Sequence, residues 1–253
     1  MATEPEVDLQ QGLFSHLLEL RSRLLWASGT VLILLVVLIP FANRLYAELA
    51  APLVARLPQG AHLIATEVAG TFVTPLKLAF YAALFIGMPM ILYQLWAFVS
   101  PGLYKHEKRL ARPLLVATLL LFYLGCAFAY FLVLPAAFRF LIAVTPQGVE
   151  MMTDISHYLD FVMLMFFAFG LCFEVPVAVV ILAAIGVVDL DKLRRSRRYA
   201  IVGAFAIAAV VTPPDFTSMF MLGIPMCLLY EVGLLAVRWL IKPGQRPSDE
   251  MTQ

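Results

Sequence analysis

Residues 114–134 run for 21 positions without one charged side chain. Such a run has few possible structures. A helix needs about 20 mostly apolar residues to cross a hydrocarbon core of roughly 30 Å. In lipid only helices and closed barrels satisfy their own backbone polar groups. Five further stretches read the same way: 24–41, 72–99 (past Lys77), 161–188 (past Glu174 and Pro176), 200–211 and 219–237 (past Pro225 and Glu231). Composition agrees, with 62% of the 253 residues hydrophobic and 14% charged, against roughly 45–50% apolar and about 25% charged in a soluble domain. A soluble enzyme and a disordered chain are both excluded. The first run reaches 18 uncharged residues and ends Ile39-Pro40-Phe41-Ala42-Asn43 with no A-x-A cleavage site, so it is expected to be retained. The expected fold is an all-α polytopic membrane protein, one transmembrane domain over 1–253. It has six transmembrane helices, the last two spans short, and flexible tails at 1–15 and 241–253.

Orientation follows from the loop cations. On the N-terminal side of the membrane lie fourteen Lys and Arg, among them Arg21, Arg23, Lys105, Lys108 and the run Lys192 to Arg198; the other side has Arg44, Arg56 and Arg139. Both termini are therefore cytoplasmic. The same geometry explains the basic run, which lies between two spans and reads as their cytoplasmic flank, not as a nucleic-acid site. The net charge of +1 gives no reason to bind nucleic acid either. The outer loops, 42–71 and 135–160, are the long ones, and Arg44 to Leu57 has the spacing of an interfacial helix.

No catalytic set can be assembled. His106-Glu107 begins an H-E-x-x-H pattern, but position 110 is Leu, and neither a P-loop nor a G-x-S-x-G occurs. Cys126, Cys172 and Cys227 are widely spaced and form no C-x-x-C, so no metal, cofactor or disulfide is expected. Glu174 is the conspicuous residue, since a charge in mid-span costs roughly 2.5–3.5 kcal/mol even on the lenient scale. Pro176 behind it frees a carbonyl and favours a kink. Glu174 reads either as a polar site facing a partner or cavity, or as a structural carboxyl. Glu231 reads as interfacial and structural, and Lys77 as snorkelling outward. On composition alone, Glu19 and Glu107 simply pair with neighbouring cations. An ion-coupled secondary transporter with Glu174 as coupling site is the alternative function, although no internal repeat supports it.

Several stretches together resemble the TatC family, the polytopic subunit of the twin-arginine protein translocase. They are HLLELRSRLL (16–25), LPQGAHLIATEVAGTFVTPLKL (57–78), ILYQLWAFVSPGLYKHEKR (91–109), LLFYLGCAFAYF (120–131), TDISHYLDFV (153–162), FGLCFEVPVAV (170–179) and VTPPDFTS (211–218). Met219 departs from the pattern, standing where some relatives carry Gln. The resemblance implies a bacterial inner-membrane receptor for folded cargo with twin-arginine signal peptides. It implies an oligomer, with membrane lipids and single-span subunits of the TatA and TatB type docking laterally at the fifth and sixth spans. By motif position, Glu19, Phe98 and Glu107 would bind the signal peptide, and Pro52, Glu174 and Asp215 would be further functional positions. No nucleotide site is present, so the driving force would be the proton motive force, worth about 2.3 kcal/mol per charge per 100 mV.

Overall fold

The computed structural model describes residues 4–54, 63–99, 108–146, 152–184, 186, 188, 190–211 and 216–240. The apolar runs become helices: α1 (Glu4–Leu38), α2 (Ala42–Val54), α3 (Gly70–Val99), α4 (Lys108–Phe128), α5 (Leu134–Val144), α6 (Ile155–Cys172), α7 (Val175–Ala184), α8 (Leu190–Arg195), α9 (Arg197–Val211) and α10 (Phe216–Leu240). A 3₁₀ turn (Ile39–Phe41) joins α1 to α2, and a π-helical turn (Ala129–Val133) joins α4 to α5. No extended strand occurs among the described residues, only one parallel bridge between Ile64 and Asp154.

Five segments are long and apolar enough to cross a membrane: Leu17–Ala51, Gly70–Phe98, Pro113–Val144, Ile155–Ala184 and Met219–Leu240. The other expected span is α9, whose 15 residues rise only about 22 Å. Helices overrun the apolar runs in several places. Residues 4–15, expected as part of a tail, are helical, and Pro5 sits in the first turn, where a missing N–H costs nothing. Residues 135–144, expected in an outer loop, form α5 and lengthen the third span. α10 continues unbroken through Pro225 and Glu231.

Two prolines explain two irregularities. Pro135 cannot donate to the carbonyl four residues back, and the ladder takes one wide turn there, with the Leu134 N–H reaching the Ala129 carbonyl. Pro176 also interrupts the ladder, in the fourth span, but with a tight turn. The helix stops at Cys172, Phe173 and Glu174 form a turn in which the Glu174 N–H bonds the Leu171 carbonyl at 3.0 Å, and α7 resumes.

α6 is central and α1 peripheral: half of the apolar window of the α6–α7 span is buried, but 11% of that of α1. α1 lies along α3, α4 against α6, and α10 against α7 and α9. Lipid tails provide no hydrophobic drive between helices, so close approach and small residues hold them together. The α4–α6 crossing is the clearest case. A Cβ on Gly125 would sit 2.5 Å from the Phe169 carbonyl oxygen, and one on Gly170 would sit 2.7 Å from the Phe122 ring. Phe122 and Phe169 are themselves fully buried.

Gly125→Val is therefore expected to destabilise the fold by about 1–3 kcal/mol or more, read as a lower melting temperature in detergent. Gly203→Ala, with nothing within 4 Å of its new methyl, serves as the control and is expected to melt like the parent. Equal melting of all three would refute the close-packing account.

Candidate functional site

Polar chemistry collects at three levels. At the cytoplasmic end of the bundle, Arg23 reaches back one turn along α1, where its Nε donates to the Glu19 carboxylate at 3.0 Å. Its Nη1 donates to Gln94 Oε1 on α3 at 3.4 Å. One arginine thus ties a carboxylate on α1 to an amide on α3. Phe98 lies one turn beyond Gln94 on the same face of α3, half-buried and engaged with its surroundings. Also on this side, Arg197 pairs with Glu231 at 2.7 Å, and the Tyr230 hydroxyl donates to the Leu193 carbonyl at 2.7 Å. These contacts fasten α10 to α8 and α9.

Within the membrane, Glu174 occupies the turn that Pro176 opens between α6 and α7. Its Oε1 is buried without a hydrogen-bond partner among the described residues. Thr118 of α4, itself 3% exposed, lies beside the carboxyl. The Thr118 hydroxyl in turn accepts from the indole N–H of Trp96 on α3 at 3.2 Å. A buried polar chain therefore runs from α3 through α4 to the break in the fourth span. It leaves one carboxyl oxygen for a further donor.

On the outer side, Asp154 caps α6, its Oδ1 accepting from the amides of Ser156 and His157 at 2.8 and 3.2 Å. Its Oδ2 accepts from the Thr66 amide at 2.8 Å and the Thr66 hydroxyl at 2.6 Å. Backbone bonds from the Ile64 N–H to the Thr153 carbonyl and from the Ile155 N–H to the Ile64 carbonyl complete a staple between the first and second outer segments. The Thr66 hydroxyl, then the Thr66, His157 and Ser156 amides, hold the Asp154 carboxyl well below the usual carboxylate range, against the smaller opposing effect of burial. Nearby, Lys77 of α3 pairs with Asp160 of α6 at 3.5 Å, both side chains about half exposed.

Of the expected site residues, Glu19 and Phe98 are brought to one end of the bundle, with Gln94 between their helices. Glu174 sits apart from them, in the membrane. Glu107 and Asp215 lie outside the described residues. Pro52 falls in α2, and its side chain lies outside the described ones. Among the described residues no group of three metal-ligating side chains occurs. Asp154, Thr118, Trp96 and Gln94 were not singled out from the sequence. Asp154 had a signal, a capping side chain followed by an apolar helical run. The others are uncharged, and only packing reveals their partners.

Residues 15–225 match the family described as Sec-independent protein translocase protein (TatC). The chain is 52% identical over 234 residues to the Sec-independent protein translocase protein TatC of Azotobacter chroococcum mcd 1, covering 92% of each chain. It is 49% identical over 243 residues to that of Escherichia coli strain K12, covering 96% of this chain and 94% of the other. Two crystal structures of the twin arginine translocase receptor TatC, both 35% identical, align at TM-scores of 0.77 and 0.78. They cover 90% and 88% of this chain.

The outer staple has a pH signature. A carboxyl whose folded pKa is depressed stabilises fully above its unfolded value, near 3.9, and loses that stabilisation as pH falls towards the folded one. Asp154→Asn is therefore expected to melt below wild type at pH 7, with the gap narrowing below about pH 4. Melting curves across pH in detergent check this; a gap independent of pH would rule out the ionised carboxylate as the stabilising form.

Proposed function

The chain belongs to the TatC family of Sec-independent protein translocase proteins, and we propose that it is the translocase's receptor for the twin-arginine signal peptides of folded cargo. A TatC protein is a subunit of a bacterial inner-membrane translocase that works with other Tat subunits; it is not an enzyme. The observation that carries the receptor reading is the Glu19–Arg23–Gln94 assembly beside Phe98, where a carboxylate already holds a guanidinium at the joint between α1 and α3. The segment 100–107 leads from α3 back to α4, and Glu107 ends it. Two carboxylates, Glu19 and Glu107, would then face a pair of incoming arginines. Guanidinium binds carboxylate through parallel charge-assisted bonds that lysine's point charge does not copy. Phe98 would give the peptide an apolar or cation–π surface.

Single-span subunits of the TatA and TatB type would dock along α9 and α10. In support, α10 carries Phe220, Ile224, Leu228, Val232, Leu235 and Trp239 as one exposed apolar stripe, the surface a second membrane helix needs. Glu174 would tune that docking or assembly through its unpartnered oxygen, without acting as an obligatory proton carrier.

Hydrogen bonds to charged groups are worth about 1.5–3 kcal/mol when sheltered. The purified protein is accordingly expected to bind an Arg-Arg signal peptide about tenfold or more tightly than its Lys-Lys counterpart. Glu107→Gln is expected to abolish that preference while leaving the melting temperature unchanged; an intact preference would overturn the reading. Glu174→Gln is expected to keep peptide binding and alter assembly with the single-span subunits. Normal assembly combined with lost export under a full proton gradient would identify Glu174 as a proton carrier instead.

A further inference from the structure

The outer half of the third span carries a feature that signal reading does not use. Beside the π-helical turn, α5 and α10 leave an open groove of about 570 Å³, lined by Phe131, Leu132, Ala136, Phe140 and Met221, with Arg139 among them. That volume lies in the range of small-molecule sites. Phe131 and Leu132, in the wide turn before Pro135, are 69% and 49% exposed. Arg139 lies five residues before the outer end of α5, and Met221 five residues after the outer start of α10. Both therefore sit about 7–8 Å inside their helix ends, within the apolar segments Pro113–Val144 and Met219–Leu240.

Charge singles out the occupant. Among the described residues of the outer side, Arg44 is paired with Glu48 and Lys77 with Asp160, and no carboxylate pairs with Arg139. An arginine at that depth needs an anion, and its planar fork matches phosphate oxygens. The apolar wall below it needs a hydrocarbon chain. We propose that this groove holds one phospholipid of the outer leaflet, its phosphate on the Arg139 guanidinium and one acyl chain along Phe131, Leu132, Phe140 and Met221. The site wedges lipid between the third and sixth spans and caps the π-turn, and it stands independently of the receptor reading.

Native mass spectrometry of the full chain in mild detergent tests this, with phosphatidylglycerol, diacylglycerol of the same chains, and inorganic phosphate as probes. One phosphatidylglycerol is expected to be retained, about tenfold or more tightly than diacylglycerol, since a charge-assisted contact is at stake. Arg139→Gln is expected to reduce retention to the diacylglycerol level, whereas Arg139→Lys keeps part of it and Arg44→Gln keeps all of it. Met221→Trp, which fills the groove and spares the arginine, is expected to weaken retention without lowering the melting temperature. Equal binding of the two lipids, unchanged retention in Arg139→Gln, or equal loss in Arg44→Gln would overturn the site. Displacement of the lipid by millimolar phosphate would also overturn it, making Arg139 a free-anion site.

Discussion

Inside a hydrocarbon slab no water repairs a lost hydrogen bond, and this obligation organises the molecule. Every described span is helical because only the helix satisfies its own backbone. Pro75, Pro89, Pro113 and Pro225 are absorbed within helices, whereas Pro135 and Pro176 stand at irregular turns. At Pro176 the turn exposes Glu174 and recruits Thr118 and Trp96 around it. At Pro135 the wide turn lies beside an open groove that holds Arg139.

Between spans the forces differ from those in a soluble core. With lipid on the outside, packing cannot draw on expelled water, and close approach substitutes for it. Gly125 lets α4 approach the backbone of α6, and Gly170 makes room for the Phe122 ring, which anchors the central pair. The ends are fixed by polar contacts instead: Arg23 to Gln94 and Arg197 to Glu231 on the cytoplasmic side, the Asp154 staple and Lys77 to Asp160 on the other. The exposed pairs among these, Arg197–Glu231 and Lys77–Asp160, contribute little stability each. Their value is register, since they set which turn of one helix meets which turn of the next.

Much of this was legible from hydropathy and charge. The runs locate the spans, the fourteen-to-three cation asymmetry orients them, and the cost of a mid-membrane acid singles out Glu174. Span ends were less legible. Hydropathy records what sits in hydrocarbon, whereas a helix continues as long as its ladder does, so α5 and the start of α1 outran the apolar runs. Pro225 did not stop α10, because neighbouring helices can absorb one missing bond in a membrane. The carboxylate that Lys77 meets, Asp160, is 83 residues away in sequence and was not legible. Thr118 and Trp96 left no trace at all: an isolated threonine in an apolar run acquires meaning only when a carboxyl is packed against it.

The peripheral position of α1 bears on recognition. With so little of its apolar window buried, α1 depends on its long contact with α3, where Ala27 and Val31 are buried and a Cβ on Gly87 would just touch Val31 and Leu34. The Arg23–Gln94 bond closes that seam at its cytoplasmic end. A ligand that binds across Glu19 and Phe98 engages both helices of the joint, and whatever binds only the joined form stabilises it by mass action. Away from that joint, α1 leaves Leu24, Trp26, Ile33 and Val36 exposed to the rest of the membrane, the kind of apolar surface that membrane lipid covers.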